Sequence, residues 1–333
     1  MVTVEELKDP IADYVREHTL PGLMPVADIR LKPSGLIMPR EFSRYIDRIK
    51  NFTVRPDDIW VISYPKCGTT WTQEMVWLLG NDLDYEGSKN KLLFQRFPFL
   101  EAVGIIADSQ KSGSEDEEWV FNADTISYAE ELPSPRFIKS HLPVSLLPDQ
   151  IWTVKPKIIY VTRNVKDAAV SYYHHHRLWN GYTGVFPLFM QAFLEDKVVY
   201  SPFWEHLLEY KKLENEPNIL INSFEEMKKD LPSVIRKTAN FLGKTLTTEQ
   251  IEVLADHLSF EKMKTNAAIN GEELIKEVKQ RHGLDPSDPT LNFIRKGEVG
   301  SWKVEMSPDV ARQFDIWTQK KTKGTILESM FSS

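Results

Sequence analysis

Short apolar runs alternate along the chain with longer segments in which apolar residues recur at helical spacing. The short runs have the length and composition of buried strands, whereas the longer segments have the spacing of amphipathic helices. Strands are therefore predicted at residues 59–62, 136–139, 157–162 and 218–222. Helices are predicted directly after residue 70 and at residues 41–51, 168–178, 186–196, 203–213, 227–242, 248–257 and 308–320.

This alternation predicts one α/β domain with a central parallel sheet and helices on both of its faces, and residues 41–333 are assigned to it. In such sheets, ligands bind beyond the carboxyl ends of the strands. Residues 1–40 contain Pro10, Pro21, Pro25 and Pro33, which interrupt helices, so an irregular arm packed on the domain is predicted there. The polar stretch 109–118 is predicted to be a solvated, mobile loop.

The strongest local pattern follows the first predicted strand and reads Tyr64-Pro65-Lys66-Cys67-Gly68-Thr69-Thr70-Trp71. Pro65 and Gly68 favour a tight loop, and Thr69 or Thr70 is expected to cap the next helix. A helix N-terminus at the end of a strand attracts anions, and Lys66 adds a positive charge. A Walker A loop is excluded, because the Lys precedes the only Gly. The stretch predicts a phosphate or sulfate site, with an ordinary strand-to-helix turn as the alternative.

Basic residues also follow two other predicted strands. Lys139 and His141 come after the second strand, while Arg163 ends the third and Ser171 lies on the next helix. A His near an anion site is a candidate general base, and Arg binds phosphate through two parallel hydrogen bonds. The alternatives are a structural His and a surface ion pair between Arg163 and Asp167.

In their order, these segments resemble the motifs of the cytosolic sulfotransferases. The octapeptide resembles the loop that holds the 5′-phosphosulfate of PAPS (3′-phosphoadenosine 5′-phosphosulfate), with Cys67 in place of the usual Ser. Lys139-Ser140-His141-Leu142 resembles the Lys-Thr-His-Leu motif, whose His deprotonates the acceptor. Arg163 with Ser171 resembles an Arg-x7-Ser element, and Arg295-Lys296-Gly297 resembles a C-terminal motif that closes over the same 3′-phosphate. The resemblance covers residues 55–302.

The resemblance implies a PAPS-dependent sulfotransferase with a fold like that of the P-loop kinases. The implied catalytic residues are His141, Lys66 and Lys139. The implied acceptor contacts are Phe99, Lys139 and His141. Phe260 and Trp71 would stack on the adenine with Tyr200 nearby, although core packing is the alternative for these aromatic residues. The implied cofactor contacts are Lys66, Cys67, Gly68, Thr69, Thr70, Trp71, Arg163, Ser171, Tyr200, Leu258, Ser259, Phe260, Met263, Arg295, Lys296 and Gly297.

Composition narrows the expected partners. The 333 residues carry a net charge of −7, which argues against nucleic-acid binding. A single cysteine argues against disulfides and favours a reducing, cytoplasmic compartment. No apolar run approaches the ~18 residues of a membrane span, and the N-terminus lacks a signal-peptide core. Consecutive helical residues point about 100° apart, so His174-His175-His176 is not expected to bind a metal, and no metal cofactor is predicted.

Three departures from the family pattern lead to separate expectations. Cys67 lies beside Lys66 and near a helix N-terminus, so a reactive thiol that bound cofactor shields is expected. Residues 266–291 are longer than in common members and resemble the retinol dehydratase branch. The family's dimer motif, Lys-x3-Thr-Val-x3-Glu, retains only Lys303, so homodimer formation through this segment is open.

The expected reaction is in-line transfer of the sulfuryl group from PAPS to the hydroxyl of a small apolar alcohol or phenol, with His141 as base. A P-loop kinase is disfavoured because the Walker Lys position is missing. A binding module without turnover is disfavoured by the intact Lys66, Lys139 and His141. A retinol-dehydratase-like enzyme, which would sulfonate an allylic alcohol and then eliminate sulfate, is the third alternative.

Overall fold

A four-stranded parallel sheet and a smaller three-stranded antiparallel sheet organise the chain in the computed structural model, which describes residues 2–20, 26–106 and 124–331. The strands are β1 (Thr3–Glu6), β2 (Ile29–Lys32), β3 (Ile37–Met38), β4 (Ile59–Ile62), β5 (Phe137–Ser140), β6 (Lys157–Thr162) and β7 (Ile219–Ser223). Short 3-10 segments lie at Arg40–Tyr45, Leu100–Gly104 and Val144–Leu146.

The α-helices connect and cover these strands. They are α1 (Pro10–Glu17), α2 (Ile46–Lys50), α3 (Thr69–Gly80), α4 (Tyr85–Asn90), α5 (Leu93–Arg96), α6 (Thr125–Glu131), α7 (Ile151–Val154), α8 (Val165–Trp179), α9 (Phe186–Leu194), α10 (Phe203–Lys211), α11 (Phe224–Lys229), α12 (Leu231–Phe241), α13 (Thr248–His257), α14 (Phe260–Thr265), α15 (Ala267–Asn270), α16 (Glu272–Arg281), α17 (Trp302–Glu305), α18 (Pro308–Thr322) and α19 (Glu328–Phe331).

The central sheet has the strand order β5-β4-β6-β7 with every pair parallel. On β4, Trp60 and Ile62 belong to one apolar cluster while Val61 belongs to a second one. Successive side chains of a strand point to opposite faces, so both faces of the sheet are covered. The predicted α/β fold with helices on both faces is confirmed.

The described part of residues 1–40 contains regular elements, so the prediction of an irregular arm is wrong there. Strands β1, β2 and β3 form the antiparallel sheet, and helix α1 lies between β1 and β2. The prolines do not interrupt these elements, because Pro10 is the first residue of α1 and Pro33 directly follows β2. Proline is tolerated at both positions. Ile37 joins this sheet to the main domain through hydrogen bonds of 2.8 Å with the backbone of Tyr200 and Ser201.

Two of the predicted helices are each divided into two segments. The helix predicted at 227–242 is divided into α11 and α12, because the Asp230 carboxylate caps a new helix at the Ser233 amide. The helix predicted at 41–51 is a 3-10 segment followed by α2. The polar stretch 109–118 lies outside the described residues.

Candidate active site

The loop after β4 presents an uncapped helix N-terminus. Lys66 and Gly68 have φ angles of 67° and 102°. A Cβ on Gly68 would lie 3.0 Å from a ring carbon of Phe224, so glycine suits both the conformation and the space. Helix α3 begins at Thr69 with no side-chain cap, and the Thr69 hydroxyl lies 2.6 Å from that of Ser63. The expected Thr cap is therefore wrong, and no side chain of the described residues caps this helix end, which attracts anions.

Two half-buried lysines, Lys66 and Lys139, line the same cavity. Burial and the charges of Lys139, Arg163 and Arg295 lower the pKa of Lys66 to about 7. Burial lowers the pKa of Lys139 to about 8. The Nζ atom of Lys139 lies 4.0 Å from the centre of the Phe99 ring, which is held there by a parallel bridge between the two residues. Such crowding of cations in a desolvated space stabilises a bound anion.

His141 has a defined tautomer. Its Nδ1 atom lies 2.7 Å from the backbone carbonyl oxygen of Ser63. Because a carbonyl only accepts, Nδ1 carries the proton and Nε2 carries the lone pair. Burial, and secondarily the charge of Lys139, lowers the pKa of His141 well below its ordinary value. The ring is therefore neutral and lines the cavity with Lys66 and Lys139.

A buried carboxylate beside His141 escaped the sequence analysis. Glu101 accepts hydrogen bonds from the His141 amide at 2.5 Å and from the Tyr200 hydroxyl at 3.3 Å. Burial raises the pKa of Glu101 to about 7. The Tyr200 ring lies 5.4 Å from that of His141 and lines the same cavity, and its place near the adenine stays a prediction. A single Glu in an apolar segment gives no pattern that predicts this contact.

Arg163 is held at the end of β6 by backbone carbonyls. It donates to the carbonyls of Lys66 at 3.1 Å and Glu298 at 2.9 Å, and its buried Nε has no partner in the described residues. Arg163 forms no ion pair with Asp167 in that part of the chain. Asp167 instead accepts hydrogen bonds from the backbone of Gly300 and Trp302 and from the Ser301 hydroxyl, at 2.7 to 3.1 Å. These bonds tie residues 295–301, here called the C-terminal loop, to α8.

The predicted site residues surround one cavity of about 630 Å³. Of the predicted cofactor and acceptor residues, Cys67 and Ser259 do not line it. The predicted residues that do line it are Lys66, Gly68, Thr69, Thr70, Trp71, Phe99, Lys139, His141, Arg163, Ser171, Tyr200, Leu258, Phe260, Met263, Arg295, Lys296 and Gly297.

Phe224 also lines this cavity and was missed. Its ring centre is 5.5 Å from that of Trp71, and the Arg163 guanidinium lies 4.2 Å above it. A Cβ on Gly297 would lie 2.5 Å from the ring of Phe260, which explains a glycine at that contact. Phe224 directly follows β7, so the strand-end rule that selected Arg163 also applies to Phe224.

Residues 266–291 form part of the cavity wall. Leu274 and Val278 of α16 line the cavity, while Val278 and Ile275 belong to an apolar cluster with Leu178 and Trp179 of α8. The longer segment is therefore packed against the helix that carries Ser171.

Cys67 is buried beneath the loop at 1% exposure. Its thiol donates to the Pro65 carbonyl at 3.8 Å, and burial raises the pKa of the Cys67 thiol well above its ordinary value. The expectation of a reactive thiol is therefore corrected, because desolvation outweighs the nearby positive charges.

The three consecutive histidines of α8 serve different contacts. His174 bonds Glu305, His176 bonds the Tyr172 carbonyl, and His175 lines the cavity. Within the described ranges, no group of His, Cys, Asp and Glu is arranged to hold a metal ion.

The chain is similar to proteins of known family. Residues 56–326 match the family model described as the sulfotransferase domain. The chain belongs to the sulfotransferase family. This sulfotransferase is 45% identical over 289 residues to luciferin sulfotransferase of Photinus pyralis. The aligned region covers 85% of this chain and 76% of the relative. It is 32% identical over 296 residues to sulfotransferase 1E1 of Homo sapiens, with coverage of 88% and 93%.

A solved structure resembles this sulfotransferase over nearly its whole length. Retinol dehydratase, solved in complex with androsterone and the inactive cofactor PAP, has a TM-score of 0.86 and 31% identity, with coverage of 98% of this chain and 97% of that chain. The predicted family is confirmed. In the ranges that the structure describes, no helix has both the length and the apolarity needed to cross a membrane.

Proposed function

We propose that this sulfotransferase transfers the sulfuryl group of PAPS to the hydroxyl of a small apolar alcohol or phenol. The observation that carries the proposal is the bond between His141 Nδ1 and the Ser63 carbonyl, which leaves Nε2 free as a base in a cavity that also contains Lys66 and Lys139.

The residues of the cavity fit PAPS in three places. The uncapped start of α3 and Lys66 suit the 5′-phosphosulfate. Arg163, whose buried Nε lacks a partner, and Ser171, Arg295 and Lys296 suit the 3′-phosphate. The aromatic rings of Trp71, Phe224 and Phe260 suit the adenine. When bound, PAPS supplies an activated sulfuryl group attached to a phosphate leaving group.

His141 and the two lysines divide the work of catalysis. His141 Nε2 takes the proton of the acceptor hydroxyl as the acceptor oxygen bonds to sulfur and the bond from sulfur to the phosphate oxygen breaks. Lys66 and Lys139 stabilise the negative charge that grows on the sulfuryl and phosphate oxygens. Their effect is strengthened because both lysines are partly desolvated in the cavity, where water screens their charges less than at the surface.

The acceptor end of the cavity favours an apolar ring. Phe97, Phe99, Ile105 and Ile106 line it, and they offer surface that is better covered by hydrocarbon than by water. Lys139 and His141 are the polar groups beside Phe99. A hydroxyl on an otherwise apolar molecule satisfies both conditions.

The test is a panel of phenols, sterols, retinoids and luciferin, assayed with labelled PAPS and followed by mass spectrometry. We expect sulfate esters and PAP as products. Matched assays with labelled ATP separate a kinase from a sulfotransferase. Failure of the whole panel to accept sulfate from PAPS, with PAP still binding, would support a binding module instead.

A retinol-dehydratase-like reaction is the second candidate. It is favoured by the similarity to that enzyme and by α16, which places residues of the longer 266–291 segment in the cavity wall. With an allylic alcohol such as retinol, elimination would give an alkene and free sulfate instead of a sulfate ester. Chromatography of the products decides between the two reactions.

A further inference from the structure

The carboxylate of Glu305 contacts both cations of the C-terminal loop, Arg295 and Lys296. One oxygen of Glu305, Oε1, lies 2.9 Å from Arg295 Nη1 and 2.9 Å from Lys296 Nζ. Its other oxygen, Oε2, lies 2.5 Å from His174 Nε2. Glu305 ends α17, and its side chain is 18% exposed. Arg295 and Lys296 thus share a single negative partner.

The charge on this carboxylate is stable. Burial alone would raise the pKa of Glu305, but hydrogen bonds from His174 and Lys296 and the charge of Arg295 outweigh burial and hold that pKa far below its ordinary value. This lowered pKa keeps Glu305 ionised at neutral pH.

Contacts other than those of Glu305 also hold the loop in place. The backbone and hydroxyl groups of residues 300–302 already donate three hydrogen bonds to Asp167 on α8. Arg163 adds a bond to the Glu298 carbonyl. Two of the three partners of Glu305, Arg295 and Lys296, line the cavity, and the third is His174 of α8.

We propose that Glu305 offsets the charge of Arg295 and Lys296 and thereby limits the affinity of the enzyme for nucleotides that carry a 3′-phosphate. This inference rests on the proposed function, in which Arg295 and Lys296 bind that phosphate. A 3′-phosphate in contact with either cation lies close to a second anion, and the repulsion between them lowers its affinity. The same repulsion acts on PAPS and on PAP, so Glu305 promotes release of the spent nucleotide without contributing to the chemical step.

Glu305→Gln separates the charge of this side chain from its geometry. The amide keeps an oxygen that accepts from Arg295 but removes the negative charge. A purely structural role for Glu305 predicts weaker nucleotide binding in this variant. A charge-offsetting role predicts tighter binding, so the sign of the change distinguishes the two.

The experiment is calorimetric titration of PAP and of adenosine 5′-phosphate into the wild-type enzyme and into Glu305→Gln. We expect PAP to bind Glu305→Gln at least about tenfold more tightly than it binds the wild type. This is the order of magnitude expected when one like charge is removed from an anion site. Adenosine 5′-phosphate lacks the 3′-phosphate, so its affinity should change much less. Stopped-flow displacement should show slower release of PAP.

The matched control is Glu298→Gln, which removes the same charge from the loop that precedes α17. The Glu298 side chain is exposed and makes no ion pair in the described ranges, so we expect only a small change in PAP affinity. PAP affinity that is unchanged or weaker in Glu305→Gln overturns the inference. An equal gain in Glu298→Gln, or for adenosine 5′-phosphate, overturns it as well.

A second variant separates this inference from the proposed function. Arg295→Ala should lose affinity for PAP but not for adenosine 5′-phosphate if Arg295 binds the 3′-phosphate. If Arg295→Ala weakens both nucleotides equally, the assignment of the 3′-phosphate site is wrong. If Arg295→Ala behaves as expected while Glu305→Gln fails to tighten PAP, only the inference about Glu305 fails.

Thermal unfolding covers the case of a destabilised variant. Glu305→Gln leaves three basic groups with a neutral partner, so its melting temperature without ligand is expected to fall. Because tighter binding stabilises the folded state more, saturating PAP should raise the melting temperature of Glu305→Gln by more than that of the wild type. A smaller rise than in the wild type contradicts the inference.

Discussion

The Nδ1 atom of His141 lies 2.7 Å from the carbonyl oxygen of Ser63, the last residue before the loop that we propose binds the phosphosulfate. The candidate base and the loop are therefore joined by one hydrogen bond across two neighbouring strands, β4 and β5. This bond sets the proton position on the ring and aligns the base with the site where the loop attracts anions.

His141→Ala is expected to lower kcat by at least about 100-fold, the usual loss for a general base, with little change in PAP affinity. Burial lowers the pKa of His141 well below 6.5, so the acid limb of the wild-type pH–rate profile should lie below that pH. Steady-state kinetics and calorimetry check both. His176→Ala, a second neutral cavity His that bonds a backbone carbonyl, is the control and should retain far more activity.

Binding of PAP at pH 8 is expected to take up about one proton. Burial holds the pKa of Lys66 at about 7 and that of Lys139 at about 8 in the cofactor-free enzyme. Bound phosphate raises both pKa values, so lysines that were neutral become charged. Calorimetry in buffers of different ionisation enthalpy measures the uptake. Lys66→Met should reduce it, and equal uptake in that variant would remove Lys66 from the explanation.

The stability of the folded chain is expected to depend on Glu101 around neutral pH. Burial raises the pKa of folded Glu101 to about 7, whereas in the unfolded chain its pKa is about 4.3. Stability from this group is therefore complete below pH 4 and is lost as the pH rises from there through 7, by about 4 kcal/mol in total. Urea unfolding from pH 4 to 8 should show Glu101→Gln gaining on the wild type as pH rises. A constant difference between them would contradict this.

Cys67 is expected to resist alkylation in the folded enzyme. Burial raises the pKa of its thiol, and the thiol donates to the Pro65 carbonyl, so neither the thiolate nor access is available. Iodoacetamide labelling followed by mass spectrometry should be at least about 100-fold slower than in urea, where the thiol is exposed. Rapid labelling of the folded enzyme that PAP prevents would restore the reactive-thiol hypothesis.

The sequence by itself determined the features that are local to the chain. Apolar periodicity and loop residues suffice to predict the strand, loop and helix around Lys66, the pair Lys139 and His141, and the spacing of Arg163 and Ser171. Each of these patterns lies within a short stretch of the chain. The parallel sheet followed from the same patterns, and with it the common edge at which these segments meet. Prolines misled the reading of residues 1–40, because their effect depends on whether they begin or interrupt an element.

Only the tertiary structure decided the contacts between distant segments. Ser63 and His141 are 78 residues apart, Glu101 and Tyr200 are 99 apart, and His174 and Glu305 are 131 apart. Burial is also a property of the whole fold, and it reversed the expectation for Cys67, which local charges alone had favoured as reactive. Phe224, which directly follows β7, lines the cavity. Glu305 contacts Arg295 and Lys296 because α17 folds back on the loop that carries them. Desolvation and partner choice depend on which surfaces pack together, and no local pattern of residues encodes that packing.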